Sequence, residues 1–381
     1  MSRLARLVPV ALVGVVLATA IFLPSGTLVQ AQATLEVIVS GLVNPRGLTF
    51  GPDGALYVAE AGSGGGSPCY TNGASVNVCY GPTGAVTKIT LGNTPTKERI
   101  VRGLPSVAPA NATNATGPHD VDFQGLGNGY VTIGLGTDPV NRTAQGAFPA
   151  FASVGREFGR LVRFQPNGRW SFEADLAGFE ATANPDGNVP DSNPYGVLAL
   201  PSRRIFTDAG GNTLNAVAAN GSIANLAVFP NRTVPFGAPG ATVSMQAVPT
   251  SVVVGPDGAF YVGQLTGFPF PLGGANVYRV PAAGGTPAVF ASGFTKIIDL
   301  AFGPDQALYV LQISSTAGGP PQGGTGSLIR VASDGTKSTV VAPGAGLVAP
   351  GGIVVSGDGV IYVTNFSVQS GGVGTVVKVT P

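Results

Sequence analysis

His119 is the only histidine in the chain, and Asp120 follows it directly. An imidazole beside a carboxylate can act as a general base near neutral pH. Asp299 occupies the position of Asp120 in a later copy of the same local pattern. One base and two acids are therefore the catalytic candidates, for hydrolysis or lactone opening. The same residues also read architecturally, with Asp120 and Asp299 accepting backbone N–H groups and His119 a satisfied neighbour. A second cluster is Asn184-Pro185-Asp186-Gly187-Asn188, followed by Asp191. Oxygen side chains at alternate positions around a glycine turn suit a calcium loop. The segment lacks the length and terminal glutamate of an EF-hand, and Asx-Pro and Asx-Gly runs also make plain turns. Asn184, Asp186, Asn188 and Asp191 are the metal candidates, calcium is the ion they imply, and no other cofactor is legible.

Several chemistries are missing. There is no Gly-x-Ser-x-Gly elbow and no Cys/His zinc spacing. A single histidine excludes multi-histidine metal sites and most haem ligation.

The elements that must position these residues are repeats. Residues 51–58, Gly-Pro-Asp-Gly-Ala-Leu-Tyr-Val, return at 255–262, at 303–310 and, more loosely, at 357–363. Each copy is a tight turn followed by an alternating apolar run, the signature of a hairpin strand in a repeat architecture. Extending the pattern gives six units opening near 44, 117, 193, 248, 297 and 349. Five units have four strands. The sixth stops one strand short, and an orphan strand, residues 35–39, lies at the other end. Pairing the orphan into the last unit closes a ring and removes two sheet edges. The expected fold is an all-β, six-bladed β-propeller closed by its N-terminal strand, a single domain over 34–381 in which no helix is required and Ala177-Gly178-Phe179 closes the second unit.

In such a ring the first strands line a channel, and their opening residues share one face with the ends of the second strands. Ligands of propellers gather at that face, an analogy of fold. Arg46, His119, Tyr195, Thr250, Ile298 and Gly351 form one tier there. Glu60, Asp208, Gln264, Gln312 and Asn365 end the second strands. Arg46, Glu60, Tyr195, Asp208 and Gln264 are the ligand-binding candidates at this mouth, although Arg46 and Tyr195 equally suit a plug. Phe268 and Phe270, in a Pro-rich loop on the same face, suit an apolar lip or fold back onto the blade.

Composition sets the partners. Lys+Arg is 20 and Asp+Glu 19, a net charge of +1, which gives no reason to expect nucleic acid or an anionic membrane. Charged residues are only 10% of the chain, against roughly 25% in ordinary domains. The 58 glycines and 32 prolines are spread between apolar runs and read as turns. Arg3 and Arg6, the apolar run from Leu7 to Leu23, and Ala31-Gln32-Ala33 ahead of Thr34 read as a signal peptide over 1–33. No later stretch reads as a membrane span. The mature chain is expected to be a secreted or periplasmic monomer that meets a small molecule or extracellular partner at the channel mouth. Cys69 and Cys79, ten apart in a Gly/Ser/Asn-rich loop, are expected to form a disulfide. Six Asn-x-Ser/Thr sequons occur and matter only in a host that glycosylates exported proteins.

Seven runs carry a family resemblance: Tyr57-Val58-Ala59-Glu60-Ala61-Gly62, Gly117-Pro118-His119-Asp120, Asn184-Pro185-Asp186-Gly187, Asp191-Ser192-Asn193-Pro194-Tyr195-Gly196, Leu226-Ala227-Val228-Phe229-Pro230, Gln264-Leu265-Thr266-Gly267-Phe268-Pro269 and Ile298-Asp299-Leu300-Ala301-Phe302-Gly303-Pro304. Together they resemble the ScyD/ScyE family, exported bacterial propellers named from a gene cluster for a cyanobacterial sheath pigment. The resemblance covers nearly all of the mature chain. It implies a six-bladed, NHL-like fold and no particular reaction. Asp208 fits the second-strand acid of NHL-type blades, whereas Gln312 departs from it. More distantly, the blades resemble those of gluconolactonase-type enzymes and of quinone-dependent sugar dehydrogenases. The first resemblance implies a metal-binding glutamate at the first opening, where Asn44 and Arg46 stand instead. The second implies several clustered basic residues, and the ring offers only Arg46.

Overall fold

A computed structural model describes residues 33–319, 324–369 and 371–381. The expected signal peptide lies outside the described residues except for Ala33, which is buried in a core cluster. Six antiparallel sheets of four or more strands follow one another in chain order. The chain is a six-bladed β-propeller. The inner strands are Pro45–Phe50, Pro118–Phe123, Pro194–Ala199, Pro249–Val254, Ile297–Phe302 and Gly352–Val355. Thr34–Leu42 lies antiparallel to Gly374–Thr380, with Leu35 opposite Val379 and Val37 opposite Val377. The N-terminal strand is thus the outer strand of the sixth blade.

The repeated motif explains the local structure. In Pro-Asp-Gly the aspartate caps its own turn: Asp53 Oδ1 accepts from Ala55 N at 3.2 Å, and Asp257 and Asp305 do the same at Ala259 and Ala307. A cation on the third strand then reaches the same acid, Lys88 at 2.6 Å, Arg279 at 2.7 Å and Arg330 at 2.5 Å. The turn's last residue is left-handed, Gly54 and Gly258 with φ +76° and Gln306 with φ +61°, so glutamine carries a strain that glycine avoids. The motif's tyrosine packs edge-on against the phenylalanine ending the next inner strand: Tyr57 on Phe123 (4.6 Å), Tyr261 on Phe302 (5.1 Å) and Tyr362 on Phe50 (6.0 Å). The last pair joins blade six to blade one. Such pairs add about 0.5–1.5 kcal/mol beyond the area they bury, and the core runs between blades as a series of these contacts.

Three departures from the repeat matter for function. An α-helix, Leu176–Ala183, follows the outer strand of the second blade, where Ala177-Gly178-Phe179 was expected to close the unit without any helix. Asp175 caps its first turn by accepting from Gly178 N. A hairpin of Arg232–Pro235 and Thr242–Met245 stands between the third and fourth blades and was not foreseen. Cys69 and Cys79 are disulfide-bonded, as expected, and face each other between the short strand Cys69–Thr71 and the start of the long strand Asn77–Thr90.

Candidate functional site

The tier at the channel mouth is closed. Arg46, His119, Thr250 and Ile298 are buried, and Tyr195 stacks on His119 with ring centroids 4.5 Å apart. Arg46 Nη2 donates to the Ala115 carbonyl. His119 Nδ1 lies 3.0 Å from the Pro194 carbonyl of the next blade and donates to it in the neutral tautomer. The imidazole lies where a Cβ on Gly134 would come within 2.1 Å of its Cε1. Burial and then the Arg46 charge push its pKa down to about 3. His119 is thus a buried, neutral group wedged between blades, stacked on the half-buried Tyr195 and close to the Arg46 charge.

Asp120 and Asp299 each accept two backbone N–H groups. Asp120 Oδ1 receives Val121 N and Oδ2 receives Val197 N of the third blade, both at 2.8 Å. Asp299 receives Leu300 N and Ile353 N of the sixth blade, both at 2.8 Å. Gly47 is required beside this device, because a Cβ there would lie 1.9 Å from Asp120 Oδ1. The two acids, with Asp122, line a cavity of about 220 Å³ between the six inner strands, displaced from this tier toward the strand ends. Burial raises all three, Asp122 to about 6 and Asp299 to about 7, with the Asp299 charge adding to the rise at Asp120.

The second-strand ends are braces. Glu60 Oε2 accepts from Val43 N at 2.6 Å and from Arg99, whose guanidinium grips both carboxylate oxygens at 2.9 and 2.8 Å. Asp208 accepts from Asn193 N and Ser192 Oγ, both at 2.7 Å, and Asn365 from Val348 N at 2.7 Å. Gln312 accepts from Thr295 N. Four side chains of different type thus hold the opening segment of their own blade. Gln264 departs, accepting from Asn276 N and Arg232 Nη2. The second blade carries Ile133 at this position, opposite Pro118.

The open part of this face lies beside the third and fourth blades. Phe268 is 53% exposed and meets Phe236 of the unforeseen hairpin, itself 48% exposed, edge to face at 4.6 Å. Phe270 folds back, with the Lys296 ammonium 5.5 Å above its ring. The exposed ring pair on this face is therefore Phe268 with Phe236, and not Phe268 with Phe270 as the sequence suggested.

The four metal candidates divide. Asp186 is occupied by Asn188 N, Asn188 Nδ2 and Asn212 Nδ2 at 2.9, 2.6 and 2.9 Å. Asn188 Oδ1 accepts from Asn231 Nδ2 at 3.3 Å. Asn184 Oδ1 and Asp191 Oδ1 are buried without partners, and so is Oε1 of Glu180 on the helix. Burial, then Asp208, Asp186 and Asp191, push Glu180 up to about 8. Sequence reading missed Glu180 because residues 177–179 were read as the end of the second unit and no helix was expected; its spacing of four from Asn184 places the two one helical turn apart.

No family model and no curated protein matches the sequence. Solved structures do. A glucose dehydrogenase aligns with a TM-score of 0.52 at 11% identity, over 91% of this chain and 99% of that one. A structural-genomics protein of unknown function from Bacteroides thetaiotaomicron aligns at 0.52 and 10%, over 91% and 76%. Virginiamycin B lyase from Staphylococcus aureus aligns at 0.48 and 14%, over 92% and 99%. At these identities the likeness is one of fold alone.

Proposed function

We propose that the chain is an exported propeller of the ScyD/ScyE kind that binds a ligand or extracellular partner through the mouth face, without turnover. The observation that carries this reading is the Phe236–Phe268 pair, two half-exposed rings presented by a hairpin that the blade repeat does not need. Rings held in one geometry offer apolar contact at little cost in conformational entropy. Leu272, 68% exposed, extends the lip. The closed tier supports the absence of turnover, since the sole imidazole is buried and its Nδ1 is engaged. The experiment is a thermal-shift and calorimetric screen of soluble glycans, aromatic compounds and lactones. Binding that disappears in Phe236→Ser/Phe268→Ser and persists in the exposed control Leu126→Ser supports the reading. Steady hydrolysis of any lactone by the wild type overturns it.

Hydrolysis is the second reading, favoured by one observation: Asp120 and Asp299 face a shared cavity with raised pKa values. It requires that Asp299→Asn abolish lactone turnover measured between pH 5 and 8. A quinone-dependent oxidoreductase, the third, requires uptake of pyrroloquinoline quinone visible by absorbance.

A further inference from the structure

The loop after the helix contains oxygen atoms that the fold leaves unsatisfied. Glu180 is 2% exposed, and its Oε1 has no hydrogen-bond partner. Asn184 Oδ1, one helical turn further on, and Asp191 Oδ1 are orphaned in the same way. With Glu180 and Asp191 ionised all three atoms are acceptors, so none can then satisfy another. Gly211 brings Glu180 and Asp191 together: a Cβ there would stand only 2.7 Å from Glu180 Oε2 and 3.5 Å from the Asp191 carbonyl oxygen, so the backbone packs between them. Among the described residues no ion pair reaches Glu180, Asp186, Asp191 or Asp208. The helix Leu176–Ala183 ends at Asn184, so its last carbonyls add further negative partial charge.

Something that donates or carries positive charge belongs here. A water molecule donates only two hydrogen bonds and leaves the net negative charge uncompensated. A cation removes both faults. Among the described residues no three His, Cys, Asp or Glu side chains already converge on one ion, so the donors must include neutral oxygens. Carboxylates mixed with amide and carbonyl oxygens in an irregular loop are what calcium accepts; magnesium demands a stricter octahedron, and zinc takes nitrogen or sulfur.

We infer that this loop is a calcium site, with Glu180, Asn184 and Asp191 as side-chain ligands and the Asp191 carbonyl as a further donor. Asp186 and Asn188, candidates by sequence, shape the loop through their hydrogen bonds and do not bind the ion. The bound ion ties the helix of the second blade to the start of the third. Through Asn188 and Asn231 it also steadies the base of the hairpin that carries Phe236.

The test is calorimetric titration of the purified, EDTA-stripped protein with calcium chloride, repeated with magnesium chloride, alongside thermal unfolding. The expected result is one calcium per chain, preference over magnesium, and a higher Tm with calcium. Glu180→Gln and Asp191→Asn should each weaken binding by at least about tenfold, while Asp334→Asn on an exposed turn leaves it unchanged. Glu180→Gln is close in shape and removes a buried charge, so its metal-free Tm should equal or exceed that of the wild type; this keeps a folding failure distinguishable from a lost ligand. Absence of calcium binding by the wild type, or undiminished binding in Glu180→Gln/Asp191→Asn, overturns the assignment.

Discussion

Buried and half-buried acids occur in two regions of this molecule, and their surroundings are opposite. In the channel, Asp120 and Asp299 each receive two backbone N–H groups, one of them from the neighbouring blade. At the end of the helix and in the loop after it, Glu180, Asn184 and Asp191 each keep an oxygen without a hydrogen-bond partner among the described residues. The difference follows from what each element can donate. An innermost propeller strand has one unpaired edge, whose N–H groups need acceptors as much as the acids need donors. A helix C-terminus offers spare carbonyls, which are acceptors too. Channel acids therefore complete the fold by themselves, whereas loop acids call for an ion.

The sharpest test compares the two regions directly. Asp120→Ala and Asp299→Ala should each cost about 2–5 kcal/mol in urea unfolding, because each strands two buried N–H groups worth about 1–3 kcal/mol apiece. Glu180→Gln, measured in EDTA, should stabilise by about 1 kcal/mol, the scale of one unit of pKa, and should lose the calcium-induced rise in Tm. A destabilised Glu180→Gln in EDTA would erase the contrast between the regions.

pH sharpens the comparison further. Burial raises Asp122 and Asp208 to about 6 and Asp299 to about 7, above an unfolded value of about 3.9. Acids raised in this way favour the folded state when protonated, so their contribution is present below about pH 4 and lost as pH climbs through 6 and 7. His119 acts in the other direction. Its folded pKa of about 3 lies below the unfolded value of about 6.5, so its contribution is present above pH 6.5 and lost on acidification toward 3. Tm should therefore peak on the acid side of neutrality, and Asp299→Asn should flatten the alkaline limb. A Tm that rises steadily from pH 5 to 8 refutes the placement of these acids. The smallest effect belongs to the lip: Phe236→Ser/Phe268→Ser should change stability by under about 0.5 kcal/mol, with any loss confined to ligand binding.

Much of the architecture was legible because it repeats. The Pro-Asp-Gly turn, its tyrosine and the missing sixth-blade strand are local patterns, and local patterns imply a ring closed by residues 35–39, a strand that the structure extends to Thr34–Leu42. Within the functional candidates the outcome was mixed. His119, Asp120 and Asp299 were found as a group, but their partners are N–H groups and carbonyls from the next blade, invisible to local spacing. Phe268 was recognisable in its Pro-rich loop, whereas its companion Phe236 stands in a hairpin that breaks the repeat.

Sequence alone thus determined the number of blades, the closing strand, the disulfide and the identity of most polar residues near the mouth. Tertiary structure alone decided which of those residues are consumed. A polar side chain is free for a ligand only when no backbone group from a distant strand satisfies it. Asp120 meets Val197 across 77 residues, and Glu180 Oε1 has no hydrogen-bond partner among the described residues. That distinction depends on where the chain returns in space, which no pattern of neighbouring residues encodes.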